Sequence, residues 1–335
     1  GESGSSAISD KLFNTGMESV GEHFAVFQGI VTGNNEAFVF ETEDQALAQK
    51  VEKELLKPYC LGRDIGKWEV RSTDRRVLYI DSDTDITNYA GAEKWLAQYK
   101  PVLLTRRECV NGAIPWCSLQ WARKRADLEK QEKILLQRTR NESLKTRIVA
   151  TIDSSGAFGA ESIIFLIPKS NAFTLHYFIA ILNSKLINYL FATKFLNVSV
   201  KGEYLKQMRF PKAKNIGELE ALARAMLERT AEQNRIRTGF ISRVRDNLAG
   251  VTATGALEKF EELDFAGFLK ELKKQKQKLA LAAQAEWEGF FNQSKAAVVG
   301  LAAEIAATDR EIDKKVYALY GLTDDEIAIV EKGRN

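Results

Sequence analysis

Histidine, cysteine and proline are scarce in this chain, and each shortage removes a class of chemistry. Two histidines, His23 and His176, serve 335 residues. So few leave little for a Ser/His/Asp triad, and no Gly-x-Ser-x-Gly elbow is present. His176 stands beside Tyr177 and Phe178 at the start of an apolar stretch and reads as a packing or capping residue. Cys60, Cys109 and Cys117 form no C-x-x-C pair, which argues against zinc. Free thiols without a secretory leader fit a reducing cytoplasm. No run approaches the roughly 18 apolar residues that a membrane span needs. The longest candidate, residues 178–191, contains Asn183, Lys185 and Asn188 and reads as a buried helix. The chain opens Gly-Glu-Ser-Gly-Ser-Ser without methionine, which suggests a trimmed end and a longer natural polypeptide.

The motifs of nucleotide and methyl-group chemistry are also missing. No two prolines are adjacent, so no Asn-Pro-Pro-aromatic motif can grip a flipped adenine. No P-loop occurs, and Gly156-Ala157-Phe158-Gly159 lacks the third glycine of a dinucleotide fingerprint and reads as a turn between strands. A metal-dependent nuclease needs paired carboxylates and a lysine. Asp264, Glu271 and Lys273 have those letters, but they fall in a lysine-rich segment where such spacing arises from solvated charge.

Proline distribution divides what is present. All five prolines lie between Pro58 and Pro211, and beyond them alanine, leucine, lysine and glutamate dominate, which favours helix. This predicts a lead-in over residues 1–24, a mixed domain over 25–213 and a helical region over 214–335. In the mixed domain, β-like runs at 24–31, 37–40, 77–80, 147–152 and 162–167 alternate irregularly with helix-like pieces at 43–56, 91–107 and 175–190. The fold class expected is α+β, a β-rich domain followed by an all-helical region of long antiparallel helices. In the helical region Trp287, Phe291, Val298, Leu301, Ile305, Ile312 and Val316, with Ser294 and Thr308 between them, step by four and three. That is a heptad stripe, compatible with either a bundle or a coiled-coil spacer. Leu219, Leu222, Met226, Ile236, Phe240 and Val244 supply a facing stripe.

Charge is unevenly placed. Residues 1–60 hold four basic and ten acidic side chains, a net of −6, whereas residues 100–150 hold twelve basic and five acidic, a net of +7. The basic stretch is interleaved with Trp116 and Trp121. Arginine and lysine neutralise phosphates, arginine also pairs with guanine edges, and aromatics wedge where DNA is distorted. Arg106, Arg107, Arg123, Lys124, Arg125, Arg138 and Arg140 are therefore candidate DNA contacts. Trp116 is either core or a wedge. Thr32, Gly33, Asn34 and Asn35 form a turn signal between two strands in which Gly33 can take φ > 0, and the asparagines at its tip either only turn the chain or also bond base edges. Arg63 and Asp64 read as an internal ion pair that fixes a loop, in preference to base reading.

Several segments, in order, resemble one known family. They are Gly29-Ile30-Val31-Thr32-Gly33-Asn34-Asn35-Glu36-Ala37-Phe38, Leu55-Leu56-Lys57-Pro58-Tyr59, Gly62-Arg63-Asp64-Ile65, Pro115-Trp116, Leu182-Asn183-Ser184-Lys185-Leu186, and residues 201–211. Together they are similar to the TaqI-like C-terminal specificity domain, the target recognition domain of adenine-specific DNA methyltransferases and type IIG restriction–modification enzymes. The tail, with Glu286-Trp287-Glu288-Gly289-Phe290-Phe291 and Ile312-Asp313-Lys314-Lys315-Val316-Tyr317, resembles the ends of such enzymes. Where the family often has Arg-Gly-Gly before its terminal tyrosine, this chain has Lys201-Gly202-Glu203-Tyr204.

The resemblance implies a non-catalytic cytoplasmic module that grips duplex DNA, reads a short site and presents an adenine to a methyltransferase domain, in cis upstream or in trans, with or without a nuclease. S-adenosylmethionine and magnesium would belong to those other domains. It adds Lys201 and Lys206 to the DNA candidates. The competing readings are a helical assembly scaffold that binds no DNA, and the nuclease considered above.

Overall fold

A computed structural model of the chain describes residues 2–13, 16–71, 73–138, 146–195, 199–212 and 216–333. Contacts divide it into two compact units, residues 1–220 with 315–335, and residues 221–314. The mixed α+β class is as expected from the sequence, and no helix among the described residues is long and apolar enough to cross a membrane.

The first unit contains the strands β1 (Glu18–Ser19), β2 (Phe24–Gln28), β3 (Val39–Phe40), β4 (Leu56–Cys60), β5 (Ile65–Gly66), β6 (Glu69–Val70), β7 (Arg76–Leu78), β8 (Lys133–Gln137), β9 (Ala150–Asp153), β10 (Phe158–Gly159), β11 (Ile163–Pro168) and β12 (Arg209–Phe210). Two four-stranded sheets have the orders β2-β11-β8-β9 and β10-β4-β7-β3, and β1-β12 and β5-β6 are short pairs. The apolar run Ile163-Ile164-Phe165-Leu166-Ile167 is buried throughout, so β11 is central, with β2 and β8 antiparallel on either side. A strand flanked on both edges and covered on both faces has no solvent side and loses polar alternation. β8 was not legible in the sequence because it opens with Lys133, which is fully buried beside the Asp153 carboxylate at 2.6 Å, its register partner on β9.

Three helix-like pieces are shorter than their sequence patterns. The helix Glu43–Ala48 stops at Gln49-Lys50, where Lys50 takes φ 63°, and residues 56–60 become β4. The stretch 91–107 breaks into Ala90–Ala97 and Lys100–Leu103, with Pro101 in the first turn of the second helix. The stretch 175–190 breaks at Asn183-Ser184 into Leu175–Leu182 and Lys185–Thr193, because the Ser184 hydroxyl caps the second helix. Asn188 on that helix accepts the Arg147 and Ile148 amides at 2.7 and 2.8 Å.

The last residues of the chain, read with the helical region in the sequence, pack in the first unit. Tyr320 donates to the Arg209 carbonyl at 2.8 Å, and Thr323 and Glu326 form a capping box on the helix Asp324–Lys332.

The second unit is helical. It takes most of the helices Gly217–Asn247 and Leu281–Leu319, which run antiparallel: Arg229 meets Glu304 and Thr308, Gln233 meets Val298, and Phe240 meets Phe291. Its core is aromatic, with Phe240 stacked on Phe260 and edge-on to Phe268 and Phe291. Phe291 and Val298 of the heptad stripe are fully buried, whereas Leu301 and Ile305 are only half-buried. Polar Gln233, Ser294 and Thr308 fill the seam between them.

Candidate nucleic-acid interface

The register of the first sheet brings one row of strand ends together. Gln28 lies opposite Ile164, Gln137 opposite Ile163, and Leu136 opposite Ala150. Four loops leave from this end: residues 29–35 after β2, Arg138 after β8, Ser162 before β11, and the β5-β6 hairpin. The Gln137 carboxamide holds that hairpin by donating to the Ile65 carbonyl at 2.7 Å. Arg138 donates its amide to the Ser162 carbonyl at 2.8 Å and accepts from the Val200 amide at 2.7 Å, which brings Lys201 alongside.

The loop after β2 is not the hairpin tip that the sequence suggests. Gly29 lies so close to the Gly159 and Ala160 carbonyls that a β-carbon there would sit within 2.4 Å of both, and only glycine fits. Gly33 takes φ 76°, as expected. Asn34 then caps the short helix Asn35–Phe38, accepting the Ala37 amide at 3.1 Å, so its oxygen is used locally. Thr32 is buried and donates to the Asn35 carboxamide at 2.6 Å, leaving Asn35 the exposed asparagine.

Residues 116–123 run beside this loop, with Val31 and Trp121 exchanging both backbone hydrogen bonds at 3.1 and 2.9 Å. Arg106 joins the two segments from within. Only 8% exposed, it donates to the carbonyls of Leu103, Thr32, Ser118 and Trp116 at 3.0, 3.3, 2.8 and 2.7 Å. Burial pulls its pKa down from the usual arginine value. It is therefore a pin for the loops rather than a phosphate contact, a correction to the sequence reading. Arg123 is also drawn inward: in a left-handed conformation (φ 62°), it donates to the Gly29 carbonyl at 3.1 Å, and burial lowers its pKa. Its guanidinium lies 5.4 Å from the Trp121 ring, and Trp121 is the exposed tryptophan, at 46%. Trp116 is half-buried against the core, under the Lys100 ammonium.

The remaining candidates divide by place. Arg107 and Lys124 are exposed, and Arg125 pairs with Glu129 at 2.7 Å. Arg138 and Lys201 belong to the sheet end described above. Lys206 packs by Gly21, near the opposite end of β2, and so is remote from the others. Arg140 lies outside the described residues. Arg63 and Asp64 do not pair: Asp64 accepts from the Leu61 amide and from Arg75, both at 2.7 Å, and Arg63 is exposed. Arg63, expected in an ion pair, and Arg71, which the sequence did not single out, are thus basic groups of the hairpin region at this end. Arg63 was read on a loop, but nothing in the sequence tied that loop to the others.

Beside the loop 29–35 opens a cavity of about 660 Å³. Its walls include Ile30, Val39 and Leu61, and its polar lining includes Asn34, Arg75 and Ser162. Tyr59 also lines it, its hydroxyl pushed far above the usual tyrosine range by burial and the nearby Glu161. Elsewhere, Asp264 of the nuclease reading caps the helix Phe265–Lys274 by accepting the Gly267 amide at 2.7 Å, and Glu271 pairs with Lys274.

Comparison with known families agrees with the sequence resemblance over residues 57–210. Residues 57–210 match the family described as TaqI-like C-terminal specificity domain, and residues 212–316 match a Domain of unknown function (DUF8810). No curated protein matches in sequence. Among solved structures, one titled "Structure of Type IIL restriction-modification enzyme MmeI in complex with DNA" is similar at 12% identity with a TM-score of 0.40, over 90% of this chain and 37% of that one. The chain thus spans little more than a third of that enzyme's length.

Proposed function

Because residues 57–210 are a TaqI-like C-terminal specificity domain, we propose that this chain is the DNA target recognition module of a restriction–modification enzyme. The family match carries this reading. The module grips duplex DNA and reads a short site, while an adenine methyltransferase domain, upstream in the same polypeptide or on a separate one, modifies the adenine it presents. Where a nuclease accompanies that domain, it uses the same positioning. S-adenosylmethionine and magnesium belong to those catalytic domains, and this chain recognises without catalysing.

The sheet end of the first unit supports the reading. Asn35, Arg63, Arg71, Arg138 and Lys201 lie on loops held together by backbone hydrogen bonds and by the Gln137 and Arg71 side chains donating to backbone carbonyls. Loops fixed in this way present side chains to a groove with little further ordering. Arg107 and Lys124, exposed on neighbouring loops, suit phosphates, while Asn35 and Arg138 suit base edges. The helical unit acts as a spacer.

The test is a titration of the full chain against duplex DNA across a range of salt concentrations, alongside methyl-transfer and magnesium-dependent cleavage assays. The expected result is binding whose logarithm falls linearly with log salt, by about 0.9 per phosphate contact, without turnover. Absence of binding at low salt would favour an assembly scaffold instead, and robust turnover would favour an enzyme.

A further inference from the structure

The cavity beside the loop 29–35 has a lining that suits neither a phosphate nor a simple cation. Glu36, Glu41 and Glu161 stand around it, and their carboxylates repel phosphate. Arg75, only 6% exposed, also lines it. One end of its guanidinium is engaged with Asp64 at 2.7 Å. Its Nε–H is buried without a hydrogen-bond partner among the described residues; the Glu41 carboxylate pairs with it only at long range, 3.5 Å away. A buried donor left unmade is costly, so this one calls for an acceptor. A polyamine would satisfy the carboxylates but has no acceptor for Arg75. The occupant must offer N–H donors and a lone pair on one small body, and the apolar walls of Val31, Val39 and Leu61 suit a flat one.

We infer that the cavity takes a single amino-bearing nucleobase, removed from the DNA stack, with its exocyclic amine on a glutamate and its ring nitrogen or carbonyl accepting from Arg75. This rests on the DNA-reading function proposed above. A base still stacked in a duplex presents only an edge and does not reach a side chain as enclosed as Arg75. The volume of about 660 Å³ holds one base with room to spare. Unstacking is costly, and the pocket contacts must offset it.

The experiment uses the full chain and the duplex it prefers, with one base at a time replaced by a fluorescent analogue: 2-aminopurine for adenine, pyrrolo-cytosine for cytosine or 6-methylisoxanthopterin for guanine. Emission should rise several-fold at one position only. Glu41→Ala is the matched variant, because its side chain is mostly exposed and Arg75 keeps its closer partner Asp64. It should weaken binding to the preferred duplex by roughly tenfold and relax the preference at that same position, leaving random-sequence DNA unaffected. Arg75→Lys, which keeps a charge for Asp64 but removes the Nε–H, should do the same.

Sequence-specific binding without any brightened position would overturn the pocket and leave the recognition function standing. A brightened position untouched by both variants would also overturn it. Spermidine binding that Glu41→Ala abolishes, with no base brightened, would make the cavity a polyamine site. Absence of DNA binding altogether would remove both readings.

Discussion

Asn183 holds Ala150 by both of its backbone groups: its carboxamide nitrogen donates to the Ala150 carbonyl at 2.9 Å, and its oxygen accepts from the Ala150 amide at 3.1 Å. Ala150 opens β9, the outer strand of its sheet, so a helix side chain does there what a neighbouring strand would do. This gives a physical reason for Leu182-Asn183-Ser184-Lys185-Leu186: the asparagine closes a sheet edge at the interface end, and the serine starts the next helix.

Asn183→Leu keeps the volume and removes the pairing. The Ala150 carbonyl retains the Trp68 amide at 3.1 Å, but its own N–H is left buried without a partner. The expected loss is about 1–3 kcal/mol, read as a lower urea midpoint with an unchanged slope.

The Lys133–Asp153 pair sets an acid limb of stability. Burial pushes Lys133 down. Burial also pushes the Asp153 carboxyl up, but Lys133 and hydrogen bonds from Ser155 outweigh it and hold that carboxyl below its usual range. A folded pKa below the unfolded one contributes stability that is present above the unfolded value, near 4, and lost as pH falls through the folded value. Lys133→Met strands a buried carboxylate and should cost about 3–5 kcal/mol at pH 7. Its deficit relative to wild type should shrink as Asp153 protonates in acid, which urea unfolding at pH 7 and pH 3 would reveal.

Arg106 and Arg107 are adjacent but should behave differently. Arg106→Leu removes one donor from each of four carbonyls and loosens the join between Thr32 and residues 116–118, so it should destabilise by at least about 2 kcal/mol and disturb base preference. Arg107→Ala should leave stability alone, weaken binding on all sequences alike, and reduce the salt slope by about one. Thermal unfolding and salt-dependent titration of both variants separate the two roles.

In the helical unit, Phe268→Ala opens the aromatic core and should cost about 3–5 kcal/mol. A charge at half-buried Ile305 should cost less than one at fully buried Val298. None of these changes should alter the preferred DNA sequence, which a binding selection on each variant checks.

The sequence made legible what depends on local pattern: the α+β class, the strand core at 162–167, the heptad faces of the long helices and the left-handed glycine at Gly33. It concealed what depends on long-range pairing. β8 was hidden because its buried lysine becomes acceptable only once Asp153 arrives from β9. The Thr32–Asn35 turn was recognisable as a turn, but its side chains serve a helix cap and an internal hydrogen bond. Arg106 looked like its basic neighbours because nothing local shows that four carbonyls converge on it. Arg63 was paired with the wrong partner because Arg75, not Arg63, reaches Asp64.

The central claim is sequence-specific recognition by this chain, and the most direct measurement is selection of bound duplexes from a random pool by the full chain near physiological salt. Enrichment of one short motif is the predicted result, lost position by position in Asn35→Ala and Arg138→Ala but retained in Phe268→Ala. A pool that emerges from repeated rounds with no sequence enriched would contradict the account.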